Sequence, residues 1–507
     1  MENILIKNGR IISMDPEIGD FEKADILVRN DEISEIAPNI DLEGVRILDA
    51  AGMIILPGFV DCHRHMWQTQ LRGLTADFSL FDYSARIRST YSSFYEPQDA
   101  YLGCYAGFLE AINAGTTTII DHAHIMNSPD HSDEVVRAFK DSGIRGILCY
   151  GLFSNLGPND DPTQAVFKTP QTKLDDARRI KKQHFSNKDG MVELGLALTE
   201  TEWFPMDLTI REVRFAREIE SKKISAHAGM AALSRSTHFI DRLFRAGILG
   251  PDFLFVHGSS FTDLDLAVIA DSGGSIVSTP ETELQMGMGF PVLIRALSAG
   301  VNAALGVDIV SNNSGDMLTQ MRLNLQIQRA LENDLLDRKG MAPKEIRLKV
   351  RDILEVGTIG GARAAGLDSM TGSLKPGKKA DIIMIRTDTV NMAPVNDPVG
   401  SIVLCANASD VDTVLAGGKI LKQNGKLVGV DWSKIAMELE ESRLKIIQGG
   451  KEKGFEKAES MLEDIFPITP KLANQSRIAG LAMRLPFLRE PILGQVMKQM
   501  EAKTGNS

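Results

Sequence analysis

The chain reads Pro57-Gly58-Phe59-Val60-Asp61-Cys62-His63-Arg64-His65 directly after a short apolar run, Met53-Ile54-Ile55-Leu56. This stretch has the pattern of a turn followed by a buried strand that ends in two histidines. Side chains two residues apart on a strand point to the same side. His63 and His65 are therefore predicted to lie side by side at a strand end, where two imidazoles can share a metal ion.

The composition is typical of a soluble globular protein with more than one structural unit. The chain has 507 residues, of which 43% are hydrophobic and 24% charged, and its net charge is −11. This length predicts a large core plus an accessory domain. The acidic balance argues against nucleic acid or an anionic membrane as a partner.

The cysteines and the N-terminus bear on the compartment. Four scattered cysteines without a C-x-x-C pair fit a reducing environment. The first residues lack a signal-peptide pattern, and no apolar run is long enough to span a membrane. We expect a cytoplasmic protein without a membrane span.

Two β-rich ends enclose a middle part in which strand patterns alternate with helical ones. The middle, residues 57–372, supplies about eight apolar strand segments, the number of a (β/α)8 barrel. They are 58–63, 116–122, 145–151, 192–199, 223–227, 253–257, 274–278 and 301–307. Residues 1–56 and 373–431 have short strands and turn signals, which predict a small β-sandwich built from both ends. Residues 432–507 are predicted to form a helical tail, and the fold class is α/β.

Polar residues gather at the C-terminal ends of the predicted strands, where barrels of this type carry their chemistry. Six of the nine histidines lie there, namely His63, His65, His122, His124, His227 and His257. Carboxylates at the same ends are Asp121, Glu200, Glu202 and Asp308. Three imidazoles and one carboxylate suit zinc or ferrous iron. A divalent ion lowers the pKa of its bound water and makes hydroxide available near neutral pH.

Taken in order, these motifs resemble the amidohydrolase superfamily, in the branch of cytosine and guanine deaminases, S-adenosylhomocysteine deaminase and the triazine chlorohydrolases. The resemblance covers the chain up to the helical tail. It rests on the 57–65 stretch, Gln70-Leu71-Arg72-Gly73, Gly115-Thr116-Thr117-Thr118, His227, Val256-His257-Gly258, Ala304-Leu305-Gly306-Val307-Asp308 and Leu374-Lys375-Pro376-Gly377-Lys378-Lys379-Ala380-Asp381.

The resemblance implies a metal-dependent amidohydrolase, an enzyme that hydrolyses carbon–nitrogen bonds other than peptide bonds. One divalent metal would be held by four residues, His63, His65, His227 and Asp308. Asp308 would also take the proton from the attacking water, and His257 would polarise the group under attack. We expect zinc, with ferrous iron as the alternative. A second ion bridged by Glu200 or Glu202 is left open.

One position departs from the deaminase pattern. In the deaminases, the strand-five histidine is followed three residues later by a glutamate that shuttles a proton to the ring and to the leaving amine. Here Met230 occupies that place, and methionine cannot carry a proton. Either another acid does this work or the reaction does not need it. Glu281 is the first choice for the acid, and the alternatives are Glu200, Glu202 and Glu283.

Four residues are predicted to bind the substrate. They are Trp67, in an insertion after the two histidines, together with His124, Glu200 and Met230. Methionine and aromatic side chains at other barrel loops suit a flat or apolar ligand.

The predicted reaction is hydrolysis of a C–N or C–halogen bond, with deamination of an amino-substituted aromatic or N-heterocyclic small molecule as the first choice. Because of Met230, the alternative is an amide or ring-opening hydrolase, or a metal-dependent lyase or cyclase. We expect a homodimer or higher homo-oligomer.

Overall fold

The computed structural model describes residues 3–160, 169–186, 190–463, 466–483 and 485–503. Its strands form two sheets, one of nine and one of eight strands. The strands are β1 Ile4–Ile12, β2 Asp20–Arg29, β3 Glu32–Ala37, β4 Arg46–Asp49, β5 Met53–Pro57, β6 Phe59–Arg64, β7 Thr116–Ala123, β8 Arg145–Gly151, β9 Val192–Ala197, β10 Ile224–Ala228, β11 Phe253–His257, β12 Ser275–Ser278, β13 Asn302–Leu305, β14 Ile382–Arg386, β15 Val411–Ala416, β16 Lys419–Gln423 and β17 Lys426–Leu427.

Helices follow most barrel strands and form the C-terminal tail. The α-helices are α1 Leu80–Tyr83, α2 Pro97–Asn113, α3 Pro129–Ser142, α4 Gln171–His184, α5 Met206–Glu218, α6 Ala231–Ser234, α7 Phe239–Arg245, α8 Asp263–Ser272, α9 Pro280–Gln285, α10 Leu293–Ser298, α11 Met317–Asp337, α12 Val350–Glu355, α13 Gly361–Ala365, α14 Pro398–Leu404, α15 Trp432–Lys453, α16 Glu456–Glu463, α17 Pro470–Ala482 and α18 Pro486–Lys503. Short 3-10 helices cover Met66–Leu71, Tyr91–Phe94, Thr201–Trp203 and Ala408–Asp410, and single π-helical turns cover Ser84–Arg88 and Val356–Gly360.

The predicted (β/α)8 barrel is confirmed. Strands β6 to β13 lie side by side in chain order and pair in parallel. The barrel closes where the backbone just after β13 meets β6. There Asp308 N donates to His63 O at 2.9 Å, and His65 N donates to Asp308 O at 2.8 Å. Residues of β6, β7 and β8 are buried throughout, as expected for strands covered on both faces.

In helix α8, capping residues in the local sequence define both ends of the helix. Thr262 caps its first turn: the Thr262 hydroxyl accepts from Asp265 N, while the Asp265 carboxylate accepts from Thr262 N at 2.8 Å. Gly273 ends the helix with a φ of +74°, a conformation that favours glycine. Strand β12 begins two residues later, so the turn aims the chain directly into the sheet.

Strands from both ends of the chain build the second sheet. β5 pairs antiparallel with β14, and this ladder joins β1–β4 to β15–β17. One apolar cluster includes Ile33 from the first part and Leu415 from the second. The structure therefore unites the two β-rich ends as predicted, with their hydrogen bonds continuous in a single sheet.

A buried ion pair joins this sheet to the barrel. Arg145, the first residue of β8, donates from Nε to Asp381 Oδ2 at 2.6 Å and from Nη2 to Asp381 Oδ1 at 3.2 Å. The backbone N–H of Gly417 also donates to Asp381 Oδ1, at 2.6 Å. Both charged side chains are almost fully buried. Removing one partner would leave the other charge buried without compensation.

Arg145→Ala is expected to lower the free energy of unfolding by about 3–5 kcal/mol, because it strands the Asp381 carboxylate inside the protein. The measurement is the shift of the urea unfolding midpoint. Arg338→Ala is the matched control, since Arg338 forms an exposed pair with Asp334 on α11. Loss of such an exposed pair should change the free energy of unfolding by less than about 1 kcal/mol. Equal effects of the two substitutions would contradict a structural role for the buried pair.

The C-terminal tail is helical, as predicted. Its first helix, α15, packs on α2, where Ser442 Oγ donates to Asp99 Oδ1 at 2.7 Å and Lys445 Nζ lies 2.6 Å from Asp99 Oδ2. Within the described residues, every helix is too short or too polar to cross a membrane. The predicted tail runs to residue 507, and residues 504–507 lie outside the described part of the chain.

Candidate active site

Four potential metal-ligand atoms meet at the C-terminal end of the barrel. His63 Nε2 lies 3.3 Å from Asp308 Oδ1 and 3.3 Å from His227 Nε2, and His65 Nε2 lies 3.4 Å from Asp308 Oδ1. In a tetrahedral zinc site with bonds of about 2.0–2.1 Å, neighbouring donor atoms are roughly 3.3 Å apart. The structure thus brings together the four predicted ligands at a spacing that fits a divalent metal ion. These four residues are called the ligand cluster below.

Hydrogen bonds orient two of these histidines for metal binding. His65 Nδ1 lies 2.7 Å from the carbonyl oxygen of His122, and His227 Nδ1 lies 3.0 Å from Glu200 Oε1. Because both oxygens accept, each Nδ1 carries the proton and each Nε2 keeps its lone pair for the cluster. Carboxylate or carbonyl partners of this kind fix the ring orientation of metal-binding histidines. Glu200 therefore acts as a positioning residue for His227.

The charge states of the cluster suit a bound cation. Burial lowers the pKa of His63 to about 4 and the pKa of His65 well below its ordinary value, so both rings are neutral at neutral pH. Burial alone would raise the pKa of Asp308. The hydrogen bond from His63 and the nearby rings outweigh burial, and the pKa of Asp308 lies below its ordinary range. Metal binding requires such neutral imidazoles and an ionised carboxylate.

His257 faces the same cavity with its ring held from behind. Its Nδ1 lies 3.1 Å from Thr279 Oγ1 and 3.6 Å from Glu283 Oε1. Glu283 is fixed in turn, because it accepts from Ser278 Oγ and Thr279 N, both at 2.8 Å. Among the four candidate acids, Glu283 thus supports His257 rather than facing the cavity.

The backbone is strained at two positions of the site. His257 has a φ of +81° and Asp308 a φ of +70°, both in the left-handed region that non-glycine residues rarely adopt. Such conformations cost free energy, and they persist mainly at functional sites. The strain at the ends of two strands is consistent with a functional demand on these two side chains.

A cavity of about 850 Å³ lies above the ligand cluster. His65, His227 and Asp308 form part of its floor, and His257 also lines it. Of the predicted substrate-binding residues, three line this cavity: His124, Glu200 and Met230. Its volume lies in the upper part of the range of about 300–1,000 Å³ that is typical of small-molecule sites.

Trp67 does not take the predicted place. It is fully buried, does not line the cavity and packs edge to face on Tyr95, with ring centroids 4.9 Å apart. The reason is the 3-10 helix Met66–Leu71, which turns the indole into the core beside α2 instead of toward the barrel mouth. The substrate-binding prediction for Trp67 is corrected accordingly.

Glu281 also lies away from the cavity. Its Oε2 accepts from Ser314 Oγ at 2.8 Å, from Ser314 N at 3.1 Å and from the side-chain amide of Gln320 on α11. The next residue on α9, Thr282, lines the cavity instead. The geometry does not favour Glu281 as the proton-carrying acid. In the described residues, the carboxylates that line the cavity are Glu200 and Asp308.

Sequence reasoning overlooked Arg88. Its side chain lines the cavity, donates to Asn155 Oδ1 at 3.2 Å and lies 5.0 Å from the ring centroid of Phe153. Burial lowers the pKa of Arg88, against a smaller opposing effect of Tyr83 and Glu200. The neighbouring Arg86 pairs with Glu459. Nothing in the sequence distinguishes these two arginines, because both lie in the same insertion.

A second group of histidines adjoins the first. His122, His124 and His227 present ring nitrogens within 4.8 Å of one another. However, His227 Nε2 faces His63, and its Nδ1 is bonded to Glu200. His122 Nδ1 is 3.0 Å from Ser225 Oγ. The geometry therefore favours the ligand cluster over this second group as the place for a metal ion.

A parallel barrel that gathers histidines and a carboxylate at its strand ends is a framework for metal-assisted hydrolysis. The chain belongs to the amidohydrolase family, whose family model matches residues 54–421. It is a hydrolase of carbon–nitrogen bonds.

Similar relatives carry deaminase names. The chain is 29% identical over 432 residues to a 5-methylthioadenosine/S-adenosylhomocysteine deaminase of Thermococcus kodakarensis, which covers 83% of this chain and 94% of the relative. It is 25% identical over 457 residues to a 5'-deoxyadenosine deaminase of Methanosarcina barkeri, covering 88% and 99%.

Solved structures share the fold. An adenosine deaminase from Xanthomonas campestris with bound zinc superposes with a TM-score of 0.76 at 21% identity, covering 88% of this chain and 98% of that one. The atrazine chlorohydrolase of Arthrobacter aurescens, complexed with zinc, has a TM-score of 0.76 at 22% identity, covering 87% and 100%.

Proposed function

We propose that this protein removes the exocyclic amino group of an adenosine-type N-heterocycle by hydrolysis. One zinc ion, held by the ligand cluster, would take part. The observation that carries the proposal is the spacing of 3.3–3.4 Å between donor atoms on the floor of a substrate-sized cavity. The deaminase names of the relatives support the reaction class. Three imidazoles and a carboxylate support zinc, with ferrous iron as the alternative.

When bound, the ion supplies an acidified water near neutral pH. Asp308, the ionised carboxylate of the cluster, would accept a proton from the attacking water at a carboxylate oxygen. His257 lies in the cavity beside the cluster and donates a hydrogen bond to the group under attack. A bond forms between the water oxygen and the ring carbon, the carbon–nitrogen bond breaks, and the amine takes up a proton and leaves as ammonia.

The proton delivered to the ring and the amine needs a carrier other than Met230. We propose Glu200 in place of Glu281. Glu200 lines the cavity, and its Oε1 lies 3.0 Å from His227 Nδ1 and 3.8 Å from His124 Nε2. Burial acts to raise the pKa of Glu200, but the interaction with His227 outweighs it, and the pKa lies below its ordinary value. An ionised Glu200 can accept a proton first and release it later.

Glu200→Gln is expected to reduce turnover by about 10²-fold, as for loss of a general acid–base group. The amide oxygen can still accept from His227 Nδ1, so the protein should keep its metal. Glu281→Gln is the matched control and should have only a small effect, because Glu281 does not line the cavity. The measurement is ammonia release from adenosine-type substrates, with metal content determined in parallel. A large loss at Glu281 with none at Glu200 would reverse the assignment.

A second candidate function is kept because of Met230. Met230 lines the cavity where the deaminases have the glutamate, and an apolar wall there suits a substrate that needs no proton at that point. An amide or ring-opening hydrolase, or a metal-dependent lyase or cyclase, would fit. If wild-type protein with its metal bound released no ammonia from any amino-heterocycle, this second candidate would replace deamination.

Two sequence-based expectations accompany the proposal. We propose a homo-oligomer, most simply a homodimer, which light scattering of the purified protein would test. We also propose a cytoplasmic location, supported by cysteines that are free in the structure, three of them buried.

A further inference from the structure

The C-terminal tail forms a wall of the cavity. The family model ends at residue 421, and the four tail helices follow it. Residues of α16, α17 and α18, together with Phe466, Pro467 and Met483 from the connections between them, nevertheless line the same cavity as the ligand cluster. They include Leu462, Phe466, Leu472, Ala479, Met483 and Leu493. Part of the substrate cavity is thus built by a segment that lies outside the family model.

Polar contacts hold the tail against the barrel. Glu490 Oε2 accepts from Met206 N at 2.9 Å, and Glu490 Oε1 accepts from Arg242 Nε at 3.2 Å. On α16, Glu459 lies 3.1 Å from Arg86. These contacts join α18 to α5 and α7, and they join α16 to the π-helical turn Ser84–Arg88. The tail helices are therefore held against the barrel by specific polar contacts and form one side of the cavity.

Apolar side chains line the space beside the tail from two directions, from the tail and from the barrel. Phe466 packs edge to face on Phe81, with ring centroids 5.5 Å apart. From the barrel side, Leu80, Leu233 and Met286 line the same space. We call this space, between the tail residues named above and these three residues, the outer chamber. It is continuous with the floor that holds His227 and Asp308.

The outer chamber adds a mainly apolar space to the part of the cavity that lies at the ligand cluster. A heterocyclic ring at the ligand cluster would fill only the floor of a cavity of about 850 Å³. Leu80, Leu233, Leu462 and Phe466 belong to one packed apolar cluster and also line this space, so they present an apolar surface that suits an apolar ligand group.

We propose that the outer chamber is a binding site for an apolar substituent, an alkyl or aryl group of several carbons, carried by the heterocyclic substrate. The inference rests on the proposed function, because the heterocyclic end must lie at the ligand cluster for the other end to reach the tail. It names a substrate class: amino-heterocycles that bear a long apolar side group.

The first test is a series of 5'-alkylthio-5'-deoxyadenosines with methyl, butyl and hexyl groups. Each methylene that enters the chamber should raise kcat/KM by about fourfold, since burying a methylene contributes about 0.8 kcal/mol. Ala479→Trp and Ser476→Phe should each reduce this gain, because both positions line the cavity and larger side chains would fill it. Two variants are used so that one misfolded protein does not decide the result.

The matched control is Ile478→Trp. Ile478 lies beside Ala479 on α17, is 67% exposed and does not line the cavity. It should keep the gain in kcat/KM along the series. A second readout needs no turnover: fluorescence of the neutral apolar dye N-phenyl-1-naphthylamine should rise with wild type and with Ile478→Trp, and much less with Ala479→Trp or Ser476→Phe.

The outcomes separate the two proposals. Turnover of the methyl compound without any gain for butyl and hexyl would overturn the chamber but leave deamination intact. Failure of every compound, with the dye pattern as expected, would contradict adenosine-type deamination and still support the apolar site. Equal dye binding by all four proteins would overturn the apolar site, whatever the turnover.

Discussion

His65→Ala and His227→Ala are each expected to lose the bound metal and to reduce turnover by more than about 10²-fold. Removing one of four ligands removes both a bond and the closed tetrahedral geometry, so affinity for the ion falls steeply. Without the ion, no acidified water is available near neutral pH. The measurements are metal content by elemental analysis and turnover by ammonia release.

His184→Ala is the control for these two substitutions. His184 lies at the end of α4, where it contacts Lys140 and Asp133, and it is not part of the ligand cluster. This variant should keep wild-type metal content and turnover. Full metal content in both His65→Ala and His227→Ala would mean that the ion lies elsewhere.

Asp308→Asn is expected to reduce turnover by about 10²-fold or more while retaining part of the metal. The amide keeps the shape and one ligand oxygen of the carboxylate, but it cannot accept the proton of the attacking water. Asp308 Oδ1 also lies 3.3 Å from His63 Nε2 and 3.4 Å from His65 Nε2, as expected for a metal ligand. Metal content must therefore be measured in the same samples, so that loss of the ion is distinguished from loss of the base. Near-normal turnover with metal bound would mean that another group, first of all His257, accepts the proton.

The metal-ligand prediction rests on a geometric regularity of the fold. In a parallel barrel, the C-terminal ends of all strands meet at one mouth, so residues as far apart in sequence as His63, His227 and Asp308 can be expected to converge. In the structure, His63 Nε2 lies 3.3 Å from Asp308 Oδ1 and 3.3 Å from His227 Nε2. Strand patterns alone placed the barrel strands within a few residues of their observed bounds.

The loops could not be predicted in the same way. The 3-10 helix after β6 turns Trp67 into the core, and a sequence pattern does not reveal which way such a turn faces. On α9, one step of helical rotation separates Glu281, which faces α11, from Thr282, which faces the cavity. Single-residue orientation at a loop or helix start is set by packing partners that are distant in sequence.

The role of the tail was beyond sequence reasoning for a related physical reason. The sequence predicts that the tail is helical, but it does not indicate which part of the molecule the tail helices cover. Its placement depends on contacts such as Glu490 with Arg242, which are 248 residues apart. The substrate cavity is therefore shaped by pairings that only the folded chain reveals.

The most direct test of the central claim is a crystal structure of the purified protein with anomalous diffraction data collected on both sides of the zinc absorption edge. The account predicts a single strong anomalous peak, present above the edge and absent below it, within about 2.0–2.2 Å of His63 Nε2, His65 Nε2, His227 Nε2 and a carboxylate oxygen of Asp308. A peak centred instead among His122, His124 and Glu200, or no metal peak in fully active protein, would contradict it.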